Sequence, residues 1–113
     1  MTPLKAGLIA VKNLLKDPTH WHKGLNYARN SEGSSVSVQS DGACSWCLGG
    51  ALVRILGPQG IYAEAWDHLE TLLRKEGPHG FYWDPIMFND DPTTTHRDVI
   101  RFLDRAIRST PDA

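Results

Sequence analysis

The residues that could do chemistry gather around Cys44-Ser45-Trp46-Cys47-Leu48-Gly49-Gly50-Ala51-Leu52, which holds both cysteines of the chain. The stretch runs into an apolar helix, so Cys47 falls in the first turn whether Asp41-Gly42 or Ser45 is the cap. A helix N-terminus favours a thiolate through its dipole and its free N–H groups. A histidine base such as His96 or His68, oriented by Asn89 or Asp90, would complete a thiol nucleophile. The competing role for Cys47 is a small buried residue where packing is close. Order along the chain pairs no histidine with the cysteine, and such sites are defined by geometry.

A second constellation is His20-x-His22 with Cys44-x-x-Cys47. It has the ligand types and number of a structural zinc site. Against zinc, the cysteine pair leads into a helical stripe instead of a turn, and no second Cys-x-x-Cys follows. A thioredoxin-like redox role fits less well, because Trp46 lies between the cysteines and no strand pattern precedes them. The expectation is a domain that folds without metal or cofactor. Trp21, Trp46, Phe81, Tyr82, Trp83 and Phe88 either cover the core or form a partner surface. Asn89-Asp90-Asp91-Pro92 has the composition of an Asx turn, with a polar site lip as the alternative.

The elements that position these residues read as helices. Thr2 caps a first helix with Pro3 at its first position, and Leu4, Leu8, Val11 and Leu15 share one face. Asp17-Pro18 stops it. Residues 25–29 and 36–39 are read as a short β-hairpin around the turn-like Asn30–Ser34, with a loop as the alternative. The second helix buries Cys44, Leu48, Ala51, Leu52, Ile55 and Leu56, and Gly57-Pro58 ends it. A third carries Tyr62, Ala65, Trp66, Leu69, Leu72 and Leu73 and stops at Gly77-Pro78. Residues 79–92 read as an aromatic loop. Thr95 with Asp98 caps a last helix whose apolar face is Val99, Phe102, Leu103, Ala106 and Ile107. Asp104 and Arg108 are an i, i+4 pair on its wet side. Arg97, Arg101, Arg105 and Arg108 line part of this helix, but Asp98 and Asp104 interrupt them, the mark of a solvated face. The fold class is therefore mainly α: one domain, 1–113, a bundle of about four helices with a possible hairpin after the first.

The 113 residues include 41% hydrophobic and 22% charged side chains, with a formal net charge of -1. That balance gives no broad attraction to nucleic acid or to anionic membrane. No apolar run approaches the roughly 18 residues that span a bilayer. A secretory leader is missing from the first residues, and two cysteines do not make a disulfide framework, so a cytoplasmic location is expected.

Trp21-x-x-Gly24, Cys47-x-x-Gly50-Ala51-Leu52, Phe88-Asn89-Asp90 and the Thr95-capped helix with Val99 and Ala106 together resemble a family of small proteins of unknown function found in phages and bacteria, notably actinobacteria. Phe88 stands where the family pattern has tryptophan, and Thr94-Thr95 where it has Arg-Thr. The resemblance spans most of the chain, implies no activity, and favours Cys47 over Cys44. It implies a shared site built from Trp21 and Gly24, from Cys47 and Gly50, and from Asn89 and Asp90, and Trp46, beside Cys47, is a further candidate for the same clasp. These three segments are expected to converge at the start of the second helix. An oxygen of Asn89 or Asp90 should reach a backbone N–H within 42–49, with Asp90 favoured by the dipole. Trp21 should cover Gly49, Gly50 and Ala51. A structural clasp is the first meaning of such a site and a ligand site the second. The function that emerges is a small, soluble, non-enzymatic module binding another protein, with a phage or mobile-element origin implied by the resemblance; a small thiol enzyme is the alternative and a zinc-stabilised binding domain the third.

Overall fold

The computed structural model describes residues 1–24, 26–76 and 84–111. Helix α1, Pro3–Leu15, starts where Thr2 Oγ1 accepts from Lys5 N at 3.2 Å. A 3₁₀ turn, Pro18–His20, follows. Strands β1, Ala28–Arg29, and β2, Ser45–Trp46, form an antiparallel pair. Helices α2, Leu48–Leu56, α3, Tyr62–Glu76, α4, Pro85–Asp90, and α5, His96–Arg108, complete the order.

The apolar stripes meet in one core. Leu8, Val11 and Leu15 of α1, Leu48, Leu52 and Leu56 of α2, Leu69 and Leu73 of α3, and Val99, Phe102 and Leu103 of α5 are all buried. Helix α1 lies against α2 and α5. A Cβ at Gly7 would collide with Leu56 Cδ2, so α1 and α2 approach closely there. Phe88 of α4 meets Phe102 with ring centroids 5.0 Å apart. Helix α5 carries a full capping box: Thr95 Oγ1 accepts from Asp98 N at 3.1 Å, and Asp98 Oδ2 accepts from Thr95 N at 2.9 Å.

Five expectations need correction. Helix α2 starts later than the cap residues suggested, because Cys47 is its N-cap and Ser45-Trp46 is strand. Cys44 is consequently exposed and not part of the buried stripe. The hairpin is only half formed: Asn30 N donates to Ser34 O at 2.9 Å and Val36 N to Ala28 O at 3.1 Å, but the strand partner of β1 is β2. Within 79–92 there is a helix, α4, which Asp84 caps by accepting from Met87 N at 2.8 Å, with Pro85 at its first position. Lastly, Asp104 pairs with Lys12 of α1 at 2.6 Å. The Gly77-Pro78 stop and Phe81, Tyr82 and Trp83 lie outside the described residues.

Candidate functional site at the start of the second helix

The first N–H groups of a helix lack intrahelical acceptors and must find them elsewhere. At α2 two side chains supply them. Cys47 Sγ accepts from Gly50 N at 3.3 Å, and Asn89 Oδ1 accepts from Leu48 N at 3.0 Å. The same Asn89 oxygen accepts from Trp21 Nε1 at 2.6 Å. Its Nδ2 donates to His22 O at 3.2 Å and to Asp90 Oδ1 at 3.0 Å. Asn89 is fully buried and uses two acceptor and two donor positions, so its capacity is filled. An aspartate there could accept but not donate. This explains the order Asn-Asp: the amide goes to the helix end, and the carboxylate sits beside it.

Asp90 Oδ1 also accepts from Gly24 N at 3.0 Å. Gly24 has φ +110, a backbone conformation in which side-chain-bearing residues are strained. Lys23 Nζ donates to Asp91 O at 2.7 Å, closing the same loop onto the end of α4. The three segments Trp21–Gly24, Cys47–Gly50 and Asn89–Asp90 thus meet at one helix end. The partner of α2 is Asn89, where the dipole argument favoured Asp90. Within Asn89-Asp90-Asp91-Pro92 the Asx turn is made by Asp91, whose Oδ1 accepts from Thr93 N at 2.8 Å.

Nearest to the glycines is not Trp21. At Gly50 it is the Tyr27 backbone: a Cβ there would overlap Tyr27 O, and Cys47 N donates to that same oxygen at 3.3 Å. Over Gly49 lie Ile86 Cγ1 and Tyr27 Cε1, at 3.3 and 3.4 Å from the position of a Cβ. Trp21 instead packs beside His96, with centroids 5.9 Å apart. Trp46 is buried, donates through Nε1 to Val38 O at 3.2 Å and lies under the Arg54 guanidinium.

The histidines are engaged away from the thiol. His96 Nε2 donates to Leu15 O at 2.7 Å, and His20 Nδ1 to Leu14 O at 3.0 Å. Both satisfy carbonyls left open at the end of α1. His68 Nε2 donates to Ala106 O at 3.0 Å near the end of α5. His22 donates through Nε2 to Asn26 O at 2.6 Å, which leaves Nδ1 to accept from the Ser45 hydroxyl at 2.7 Å. Burial pushes the His22 pKa down, so the neutral ring is favoured. Among the described residues no histidine hydrogen-bonds Cys47. Burial pushes the Cys47 thiol up; the Gly50 N–H opposes this and the nearby Asp90 carboxylate adds to it. A buried thiol with a raised pKa is a poor nucleophile at neutral pH. The zinc candidates His20, His22, Cys44 and Cys47 are dispersed among these separate contacts, with the Cys44 thiol donating to Gly42 O at 3.4 Å. Among the described residues no three His, Cys, Asp or Glu side chains are placed to hold a metal.

A family model, described as a family of unknown function (DUF6197), matches residues 1–109. The chain belongs to the DUF6197 family. No curated protein and no solved structure matches it. In this DUF6197 member no helix of the described residues is long and apolar enough to cross a membrane. A cleft of about 320 Å³ lies between the first turn of α1 and the segment after α5, lined by Thr2, Leu4, Ile61, Glu64 and Thr110. It holds none of the residues of the clasp. Not foreseen from the sequence were the contacts of Tyr27 and Ile86 with the glycines and the pairing of His22 with Ser45. Only Gly50 hinted at them, since so small a residue in an apolar helix implies a close approach without naming what approaches.

Proposed function

We propose that the protein is a small non-enzymatic interaction module that takes another protein at the clasp end of α2. The observation that carries this is the pair Tyr27 and Met87, 49% and 43% exposed; apart from Met1 they are the exposed large apolar side chains of the described residues. Tyr27 and Ile86, the neighbour of Met87, flank Gly49, so the two exposed side chains border the same helix end. Tyrosine and methionine are enriched in protein interfaces. Asn89 ties α4 to the start of α2, and Cys47 N holds the Tyr27 carbonyl against it, so both segments are in place beforehand, which lowers the ordering cost of binding. The protonated, buried Cys47 weighs against a thiol enzyme. Two free thiols suit a reducing cytoplasm, and an accessory role in a phage or mobile element rests on the resemblance of the motifs.

The test is affinity capture from the native host with the wild-type chain and with a Tyr27→Ser, Met87→Ser double variant. A protein held by the first and released by the second is the expected result. Equal recovery by both, with the variant folded by circular dichroism, would sink the reading.

A further inference from the structure

The net charge of -1 averages over two unlike halves. Helices α1 and α5, with the C-cap Lys16, carry Lys5, Lys12, Lys16, Arg97, Arg101, Arg105 and Arg108 against two carboxylates, Asp98 and Asp104. The remainder of the chain therefore has an excess of acid. The two carboxylates that interrupt the arginines are already engaged. Asp98 closes the capping box and Asp104 binds Lys12.

Arg97, Arg101 and Arg108 stand at i, i+4 and i+11, so they form one stripe, opposite the buried Val99, Phe102, Leu103 and Ala106. All three are exposed, and none has a hydrogen bond or ion pair to a described residue. The stripe runs about 17 Å along the helix at about 1.5 Å per residue. His96 binds the carbonyl of Leu15, so the exposed Lys16 sits at the Arg97 end.

We propose that the α1/α5 face is a sequence-independent docking surface for the phosphate backbone of a nucleic acid, with Arg97, Arg101 and Arg108 as phosphate contacts and Lys16 at its edge. Guanidinium forks match phosphate geometry, and a duplex offers a phosphate on each strand about every 3.4 Å along its axis. The exposed large apolar side chains Met1, Tyr27 and Met87 lie outside α5. The apolar face of α5 is spent on the core, so it has nothing to insert into a membrane. The arginine stripe also lacks the aromatic or aliphatic anchor of a protein hot spot. A polyanion with regularly spaced phosphates fits what is left. This surface is independent of the Tyr27 and Met87 edge.

The experiment is fluorescence anisotropy with a short labelled DNA duplex of arbitrary sequence. Three to four phosphate contacts predict affinity falling on the order of 100-fold between about 50 and 200 mM salt. An Arg97→Gln, Arg101→Gln, Arg108→Gln variant should weaken binding at least about tenfold at low salt and make the salt slope shallower by about 3. Arg74→Gln with Lys75→Gln, on α3, should leave both unchanged. No binding at low salt, an unchanged triple variant whose fold is intact, poly-glutamate bound as tightly as the duplex, or phosphatidylserine vesicles bound in place of it, would each overturn the proposal.

Discussion

Two regions of this molecule hold together in different ways. The α1/α5 layer joins two helices through side chains repeated every three or four residues, each making many weak contacts. The clasp at the start of α2 depends on Asn89, whose side chain serves four partners, three of them on two other stretches of chain and the fourth its own neighbour Asp90. In the layer the contribution is divided among many residues, and removing one leaves the rest. In the clasp a single amide carries several obligations, and nothing nearby can take them over.

The largest expected effect is at the clasp. Asn89→Ala orphans Leu48 N, Trp21 Nε1 and His22 O. At about 1–3 kcal/mol for each unsatisfied group, the three together give roughly 3–9 kcal/mol, with the part-buried Trp21 Nε1 and His22 O pulling the loss toward the lower end. Against typical totals of about 5–15 kcal/mol this approaches unfolding. Urea denaturation measures it, and a loss no greater than that of an average surface change, about 0.5 kcal/mol, would erase the contrast between the regions. Opening the clasp should also make Cys47 react with iodoacetamide as fast as the exposed Cys44, whereas in the wild type it should lag far behind.

Next come Leu103→Ala and Leu52→Ala, each expected to cost about 2–5 kcal/mol through lost burial and the cavity left behind. Both side chains are fully buried. The two losses should add if the sites are independent, and a double variant tests that. Thr95→Ala removes the cap of α5 and should cost about 0.5–2 kcal/mol; an unchanged melting midpoint would mean that packing alone sets where α5 begins.

The smallest effect is pH-dependent. The folded-state pKa of His22 is lowered, so its neutral form stabilises the fold fully above the unfolded pKa near 6.5. That stability is lost as pH falls below 6.5 toward the folded pKa, because the unfolded chain then binds the extra proton. The wild type should therefore lose more stability than His22→Gln between neutral and mildly acidic pH. Parallel stability curves for the two proteins would show that protonation of His22 plays no part.

The layer was legible in the sequence because its signals are local. Thr2-Pro3, Thr95 with Asp98, and the leucine stripes lie within a turn or two of what they determine. The clasp was legible only as a set of residue types. That Asn89 and not Asp90 binds α2 depends on the amide's ability to donate as well as accept, and on which segments surround it. The start of α2 was misplaced because Gly49 and Gly50 follow strand residues too few to show alternation. Two-residue strands leave no period to read. Helix α4 had its signal, Asp84 capping Pro85, but the prolines read as breakers. The pairing of Lys12 with Asp104 depends on which helices become neighbours, which local spacing does not encode.

The reach of Asn89 also bears on the order in which the molecule assembles. Its bonds join positions 41 and 68 residues apart along the chain, so they can close only after long loops have closed. The helices and their shared core can collapse before then. Substitutions at Asn89 should therefore leave the folding arm of a chevron nearly unchanged and lift the unfolding arm, whereas Leu103→Ala should move both if α5 takes part in the nucleus. One buried amide would then govern how long the native state lasts, and have little influence on how quickly it is reached.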